Sequence, residues 1–199
     1  MLWQDDKPKQ EYVVPQDVVD VNFRVECKMI PTTHAWALKE ALYNALPWLD
    51  GETRAAIHQI HGATSGNGWE RPPDGELIHL SKRSRMTLRV PSHRVEDVQA
   101  LVGQTLDIDG HALGIGAATV KTLVPLPTIF ARYVIVPEGF DENAFVAWAA
   151  EEVGGHNINL RKMLCGISHV ISTPEGELET RSVMIADLDK PESVRLQET

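Results

Sequence analysis

Five cationic side chains crowd into the segment Leu80 to Arg94, LSKRSRMTLRVPSHR, which contains no carboxylate. The chain as a whole has 199 residues and a formal net charge of -9, so this segment runs against the overall balance. Guanidinium groups bind phosphate oxygens through a planar fork of donors, and lysine adds a compact positive charge. The segment therefore predicts a binding track for a polyanion. The alternative is an ordinary solvated strand face.

The order of residues within this segment predicts how the cations are displayed. Polar and apolar residues alternate after Ser84, and a strand has a side-chain period of two. Arg85, Thr87 and Arg89 should therefore share one face of a strand. Lys82 and Arg83 precede the strand, and we expect them in the turn that leads into it.

His34 is the histidine whose position suggests a chemical role. It stands at the start of a predicted helix, after Thr32 and Thr33, which are good N-cap candidates. The partial positive charge at a helix start disfavours the imidazolium and favours a neutral ring that can accept a proton. His34 is thus a candidate general base. The alternative is a solvent-facing histidine that has no catalytic role.

Two further histidines and one loop are weaker candidates. His58 and His61 have an HxxH spacing, but on a predicted strand they would point to opposite faces and could not share a metal ion. Trp69 lies in the polar loop SGNGWERPP beside Arg71, where an exposed indole could stack on a nucleic-acid base. A plain loop anchor is the alternative for this tryptophan.

Composition and missing motifs narrow the class of protein. Cys27 and Cys165 are too few and too far apart for a disulfide framework or a zinc site. The start of the chain lacks a signal-peptide core, and no apolar run reaches the length of a membrane span, so the prediction is a cytoplasmic protein without a membrane partner. No nucleotide-binding loop, serine-hydrolase elbow or metal-ligand cluster is apparent, and we predict no cofactor and no metal. The acidic balance argues against indiscriminate nucleic-acid binding, although a local basic track can serve one defined ligand.

The pattern of elements predicts an α+β protein with antiparallel sheets. The first part of the chain gives the order strand, helix, strand, strand, helix, strand, which is the ferredoxin-like or RRM-like split unit. After Pro125 and Pro127 the pattern begins again, with Asp189 and Pro191 at the start of a last helix. We therefore predict tandem ferredoxin-like domains at 17–124 and 126–199. The second is incomplete at its C-terminus, because the chain stops before the helix could lead to a final strand.

Seven segments together resemble a known family, the CRISPR-associated endoribonucleases that process precursor CRISPR RNA, and within it the Myxococcus-type subtype I branch. The segments that carry the resemblance are VDVNFRV, PTTHAWALKEALYNALPWL, AIHQIHGA, LSKRSRMTLRVP, GQTLDIDGHALGIG, PLPTIFARYV and ESVRLQE. Their order and spacing are more specific than any one of them.

The resemblance implies metal-independent cleavage of precursor CRISPR RNA within the repeat. A 2′-hydroxyl would attack the phosphorus, leaving a 2′,3′-cyclic phosphate and a 5′-hydroxyl. The family histidine that accepts the hydroxyl proton matches His34, and the family's basic strand matches the segment whose cations would bind the RNA backbone: Lys82, Arg83, Arg85 and Arg89. CRISPR repeat RNA is the implied partner, and the resemblance leaves room for other subunits of a CRISPR effector complex. Family members typically continue into a glycine-rich loop and a last strand beyond the segment that matches the end of this chain.

Two other functions stay open at this point. The same fold could hold RNA or dock in an effector complex without cutting. It could also serve only in protein assembly, with the basic strand as a partner surface, in which case no salt-dependent RNA binding is expected.

Overall fold

The computed structural model describes residues 12–62, 72–73 and 75–199. The first part of the chain forms seven strands and two α-helices. In chain order these are β1 (Val18–Glu26), β2 (Met29–Pro31), α1 (Ala35–Ala45), β3 (Ala56–Ile57), β4 (Leu77–His79), β5 (Arg85–Pro91), α2 (Val95–Gln99), β6 (Thr105–Ile108) and β7 (His111–Thr122). Short 3-10 helices cover Pro47–Leu49 and Ser92–Arg94.

The first sheet is antiparallel and has the strand order β3-β5-β1-β7-β6. Four of its strands, β3-β5-β1-β7, stand in the order that defines a ferredoxin-like unit, and β6 extends the edge through a hairpin with β7. Asp109 and Gly110 form the hairpin turn with φ angles of 50° and 82°, the left-handed conformation that Asp-Gly sequences favour.

β1 is the central strand of this sheet, and the alternation of its residues decides which face is buried. Val19, Val21 and Phe23 are buried on the face that packs against α1, while the intervening polar residues face the other way. β1 ends at Glu26, after a register shift beyond Phe23. The sheet pairing ends here, and the chain turns into β2, which pairs with β4 instead.

The N-cap of helix α1 lies one residue after Thr33, the nearer of the two predicted caps. Its N-cap position is held by His34, and among the described residues no side-chain hydrogen bond caps the helix. The hydroxyl of Thr32, one of the two predicted caps, donates to the carbonyl of Glu76 at 2.8 Å instead. Pro47 follows the end of the helix and begins a 3-10 turn.

The second part of the chain forms three strands and two helices. They are β8 (Thr128–Ile135), α3 (Glu142–Gly155), β9 (Lys162–Thr173), β10 (Gly176–Ala186) and α4 (Lys190–Glu198). The strand order β8-β10-β9 is antiparallel throughout and is that of the first three strands of a ferredoxin-like unit. Phe145 of α3 packs with Val183 and Ile185 of β10 in a second core.

These sheets and helices confirm the predicted fold class, tandem ferredoxin-like folds with antiparallel sheets. A small apolar cluster of Val18, Leu123 and Val194 joins the first sheet to the last helix. The domain limits 17–124 and 126–199 stay a prediction. In the described ranges, no helix has both the length and the apolar character that crossing a membrane requires.

Candidate nucleic-acid interface

Strand β5 has the predicted two-faced pattern. Met86, Leu88 and Val90 are buried in the core, and Arg85, Thr87 and Arg89 share the opposite face. The apolar side chains therefore pack in the core, whereas the two arginines of the polar face, Arg85 and Arg89, have different surroundings.

A cavity of about 630 Å³ opens beside the start of β5. Three of the predicted RNA-binding cations line it, together with two histidines and several small polar residues. The lining consists of His58, Gln59, His61, Gly62, Ser81, Lys82, Arg83, Ser84, Arg85 and Thr87.

Local hydrogen bonds hold the turn that carries these cations. The Ser81 hydroxyl oxygen accepts from the backbone N–H of Arg83 at 3.1 Å. One guanidinium nitrogen of Arg85 donates to the carbonyls of Lys82 and Ser84 at 2.8 and 2.7 Å. These bonds hold the turn in which Lys82 and Arg83 line the cavity.

Arg89 lies elsewhere and is engaged by protein groups. Its guanidinium donates to both carboxylate oxygens of Asp20, at 2.8 and 3.0 Å, and to the backbone carbonyl of Gln197 at 2.9 Å. Only 13% of its side chain is exposed. An RNA contact by Arg89 stays a prediction, and it would have to compete with these partners.

The prediction that His58 and His61 lie on one strand was wrong. Strand β3 covers only Ala56 and Ile57, so the period of two stops before the histidines. The backbone N–H of His58 still donates to the Thr87 carbonyl at 3.1 Å, and both histidine residues line the same cavity. Two features of the sequence indicate that the strand ends early. The apolar run before His58 is short, and Gly62 follows His61.

Both cavity histidines are shifted toward the neutral form. Burial, and then the positive charge of Arg89, lowers the pKa of His58, against a raising effect of Asp20. Burial, and then the charge of Arg132, lowers the pKa of His61. A neutral imidazole in this cavity can accept a proton, and a bound phosphate would favour its charged form.

His34 is buried, with only 1% of its surface exposed. Its Nδ1 lies 2.9 Å from the carbonyl oxygen of Pro31, and its Nε2 accepts a hydrogen bond from the backbone N–H of Ile60 at 3.1 Å. Because a backbone N–H can only donate, Nε2 carries the lone pair and Nδ1 carries the proton. The ring is therefore in a neutral tautomer, as the sequence predicts, but it lies inside the protein rather than at the surface.

A second cavity of about 410 Å³ adjoins the start of α1. Residues of both parts of the chain line it, among them Thr33 before α1 and Arg132, Tyr133 and His169 from β8 and β9. The rings of Tyr133 and His169 meet edge to face at a centroid distance of 5.5 Å. Gln59 lines both this cavity and the cavity beside β5. The segment that contains Ile60, whose N–H donates to His34, therefore borders both cavities.

Two predicted site residues, Trp69 and Arg71, lie outside the described residues, and their contacts with RNA stay predictions. In the part of the chain that the structure describes, no group of three or more His, Cys, Asp or Glu side chains is arranged to hold a metal ion.

Comparison with known proteins identifies the family. Residues 19–199 match the family described as Cas6, Cas6 Crispr. The CRISPR-associated endonuclease Cas6 of Myxococcus xanthus (strain DK1622) is 34% identical over 132 residues, which make up 66% of this chain and 54% of that protein. The chain thus spans about half the length of the curated relative that it matches.

Two solved structures share the fold. A CRISPR associated protein Cas6 aligns with a TM-score of 0.58 at 12% identity, covering 91% of this chain and 92% of that one. A Cas6-related protein from Pyrococcus furiosus aligns with a TM-score of 0.51 at 8% identity, covering 89% and 90%. The family match extends over nearly the whole described sequence, and the chain belongs to the CRISPR-associated Cas6 family.

Proposed function

We propose that this protein is an endoribonuclease that cleaves precursor CRISPR RNA within the repeat to give guide RNA. The observation that carries the proposal is the cavity in which Lys82, Arg83 and Arg85 stand beside two imidazoles, in a chain of the Cas6 family. The Myxococcus relative is named an endonuclease, which supports the same reaction class.

The proposed chemistry needs no metal ion. The 2′-hydroxyl before the scissile bond attacks the phosphorus in line, and the products carry a 2′,3′-cyclic phosphate and a 5′-hydroxyl. This reaction needs a proton acceptor, donors for the charged phosphorane and a fixed nucleophile. Lys82, Arg83 and Arg85 supply the donors, since all three line one cavity.

In this proposal His34 is the general base. Its proton sits on Nδ1, toward the Pro31 carbonyl, and its lone pair sits on Nε2, which is the tautomer that a base requires. The Ile60 N–H occupies that lone pair in the free protein. RNA binding must therefore move the Ile60 amide away so that the 2′-hydroxyl takes its place.

The second candidate function is an RNA-binding or docking subunit of a CRISPR effector complex that does not cut. The burial of His34 favours it, because an imidazole with both nitrogens engaged serves well as a structural group. The basic cavity supports RNA binding equally under both functions.

Cleavage of end-labelled repeat RNA in the presence of EDTA tests the proposal. We expect one cut with a cyclic phosphate end by the wild-type chain, and no cut by His34→Ala. His34→Gln is the matched variant, because its amide retains a donor and an acceptor but cannot take up a proton. If the glutamine variant folds, binds and cleaves at the wild-type rate, His34 is a structural residue. Binding without cleavage by all three proteins supports the second candidate.

A further inference from the structure

His61 is held close to His34 by the chain itself. The N atom of Ile60 lies 3.1 Å from His34 Nε2. Because adjacent Cα atoms are about 3.8 Å apart, the Cα atom of His61 lies within about 9 Å of that nitrogen. One dinucleotide could therefore span both residues once RNA binding has moved the Ile60 amide away from His34.

His61 also differs from His34 in its access to a ligand. It is exposed, and it lines the cavity that holds Lys82, Arg83 and Arg85. Arg132 of β8 is near enough to influence its charge state. Cations therefore approach His61 from both sheets, and a phosphate attracted to them would lie beside the imidazole.

His58 is the other imidazole of this cavity, but its surroundings differ. Its Nε2 is buried and has no hydrogen-bond partner among the described residues. Its electrostatic neighbours are Arg89 and Asp20, which form an ion pair of their own. His58 thus faces the sheet with its Nε2, whereas His61 stands at the exposed side of the cavity.

We propose that His61 is the general acid of the cleavage reaction and protonates the 5′-oxygen of the leaving nucleotide. The inference rests on the proposed endoribonuclease function. As the bond from the 2′-oxygen to phosphorus forms, the 2′-hydroxyl proton passes to His34, and as the bond from phosphorus to the 5′-oxygen breaks, the His61 imidazolium gives a proton to that oxygen. Exchange with solvent then restores both histidines, and no further reactant is consumed.

The charges around His61 determine the expected pH dependence. Lys82, Arg83 and Arg85 face it in the cavity, Arg132 faces it from β8, and His58 is the neighbouring imidazole. Burial, and then the charge of Arg132, lowers the pKa of His61, and a bound phosphate would favour the imidazolium. We expect the cleavage rate to fall as the pH rises through the pKa of His61, and His61→Ala should lack this decrease.

A substrate with sulfur in place of the 5′-bridging oxygen tests the role directly. Thiols have a pKa of about 8.5, so a thiolate leaves without a proton from the enzyme. On the oxygen substrate, at saturating protein, we expect His61→Ala to cleave about 10²- to 10⁴-fold more slowly than wild type. On the sulfur substrate we expect the variant and the wild type to be within about tenfold, because the lost general acid is no longer needed.

Two controls separate this role from others. His34→Gln should be impaired on both substrates, because sulfur does not replace a general base. His58→Ala should give no selective recovery on sulfur. The inference is overturned if His61→Ala cleaves the oxygen substrate at the wild-type rate, or if its defect is the same on both substrates. A wild-type protein that binds the repeat but cleaves neither substrate overturns the proposed nuclease function, and this inference with it.

Discussion

Arg89 and Asp20 stand directly opposite each other on β5 and β1 and form a two-pronged ion pair, Nε to Oδ1 at 2.8 Å and a second guanidinium nitrogen to Oδ2 at 3.0 Å. The remaining terminal nitrogen donates to the Gln197 carbonyl in α4. The pair therefore ties the polar face of the first sheet to the last helix. Both side chains are largely buried, with 13% and 21% exposed.

Replacing Arg89 should destabilise the fold. Arg89→Ala leaves the Asp20 carboxylate and the Gln197 carbonyl without a donor in a poorly solvated place, and we expect a loss of about 1–3 kcal/mol in the free energy of unfolding. Urea denaturation measures it. Arg24→Ala is the matched control, because Arg24 is exposed on β1 and should change stability by less than about 0.5 kcal/mol. Equal losses in the two variants would contradict the structural role of Arg89.

The cavity cations should account for the salt dependence of RNA binding. Each phosphate contact that is lost reduces the slope of log K against log salt by about 0.7 to 0.9. We expect this reduction for Lys82→Ala and for Arg83→Ala, measured by fluorescence anisotropy with repeat RNA at several salt concentrations.

Two arginines outside the cavity lining are the controls for this measurement. Arg94 belongs to the same basic segment but pairs with Asp97 at 3.0 Å, and Arg89 pairs with Asp20. Alanine at either position should leave the slope unchanged. A reduced slope for Arg89→Ala would support its predicted contact with RNA, and an unchanged slope for Lys82→Ala would refute the cavity as the phosphate track.

Local patterns in the sequence were sufficient for the fold. The alternation in β5 and the residues at the start of α4 depend on neighbours a few residues away, and each appears in the structure as predicted. The repetition of strand and helix order was enough to predict two ferredoxin-like units, because that topology follows from which elements succeed one another.

The site was less predictable because it depends on distant partners. The environment of Arg89 is decided by Asp20 and Gln197, which lie far from it in the sequence. His34 is buried because the Ile60 amide packs over it, and His61 enters the cavity because β3 ends after two residues. Sequence periodicity describes one helix or strand at a time, and it does not show which other element will pack over a given side chain.

The carboxylate of Glu192 should make folding stability depend on acid pH. Its hydrogen bond with the Arg161 guanidinium, followed by that from the backbone N–H of Asp189, lowers its pKa from 4.5 to about 2. Since the pKa is depressed in the folded protein, this stabilisation is complete above pH 4.5 and is lost as the pH falls toward about 2. We expect Glu192→Gln to be less stable than wild type at neutral pH and to lose less stability across that window.

Thermal unfolding between pH 2 and pH 7 measures the difference. Glu142→Gln is the control, because the Glu142 carboxylate pairs with Arg181 but is 66% exposed, and exposed pairs contribute little. A wild-type protein and a Glu192→Gln variant whose stabilities run parallel through the acid range would contradict the prediction.

The cap of α4 and the Arg89 bridge should act together, since both hold the same helix. Asp189 accepts from the Glu192 N–H at 2.8 Å, and the Glu192 carboxylate accepts from the Asp189 N–H at 2.9 Å, a reciprocal capping box. Asp189→Ala should cost about 1 kcal/mol. Helix α4 also presents the Gln197 carbonyl to Arg89, so fraying at its start weakens that contact.

A double-mutant cycle measures this coupling. We expect the effects of Asp189→Ala and Arg89→Ala on the free energy of unfolding to depart from additivity by at least about 0.5 kcal/mol. Asp189→Ala loosens the start of α4, and Arg89→Ala removes the hydrogen bond that ties this helix to β5. Asp141→Ala is the matched control: Asp141 caps α3 through a single bond of 2.8 Å to the Ala144 N–H, and that helix makes no contact with Arg89 among the bonds described. Its effect should add to that of Arg89→Ala within about 0.3 to 0.5 kcal/mol. Additivity in both cycles would mean that the bridge from Arg89 to Gln197 does not hold α4 in place, and the small apolar cluster around Val194 would then be the main contact between that helix and the first sheet.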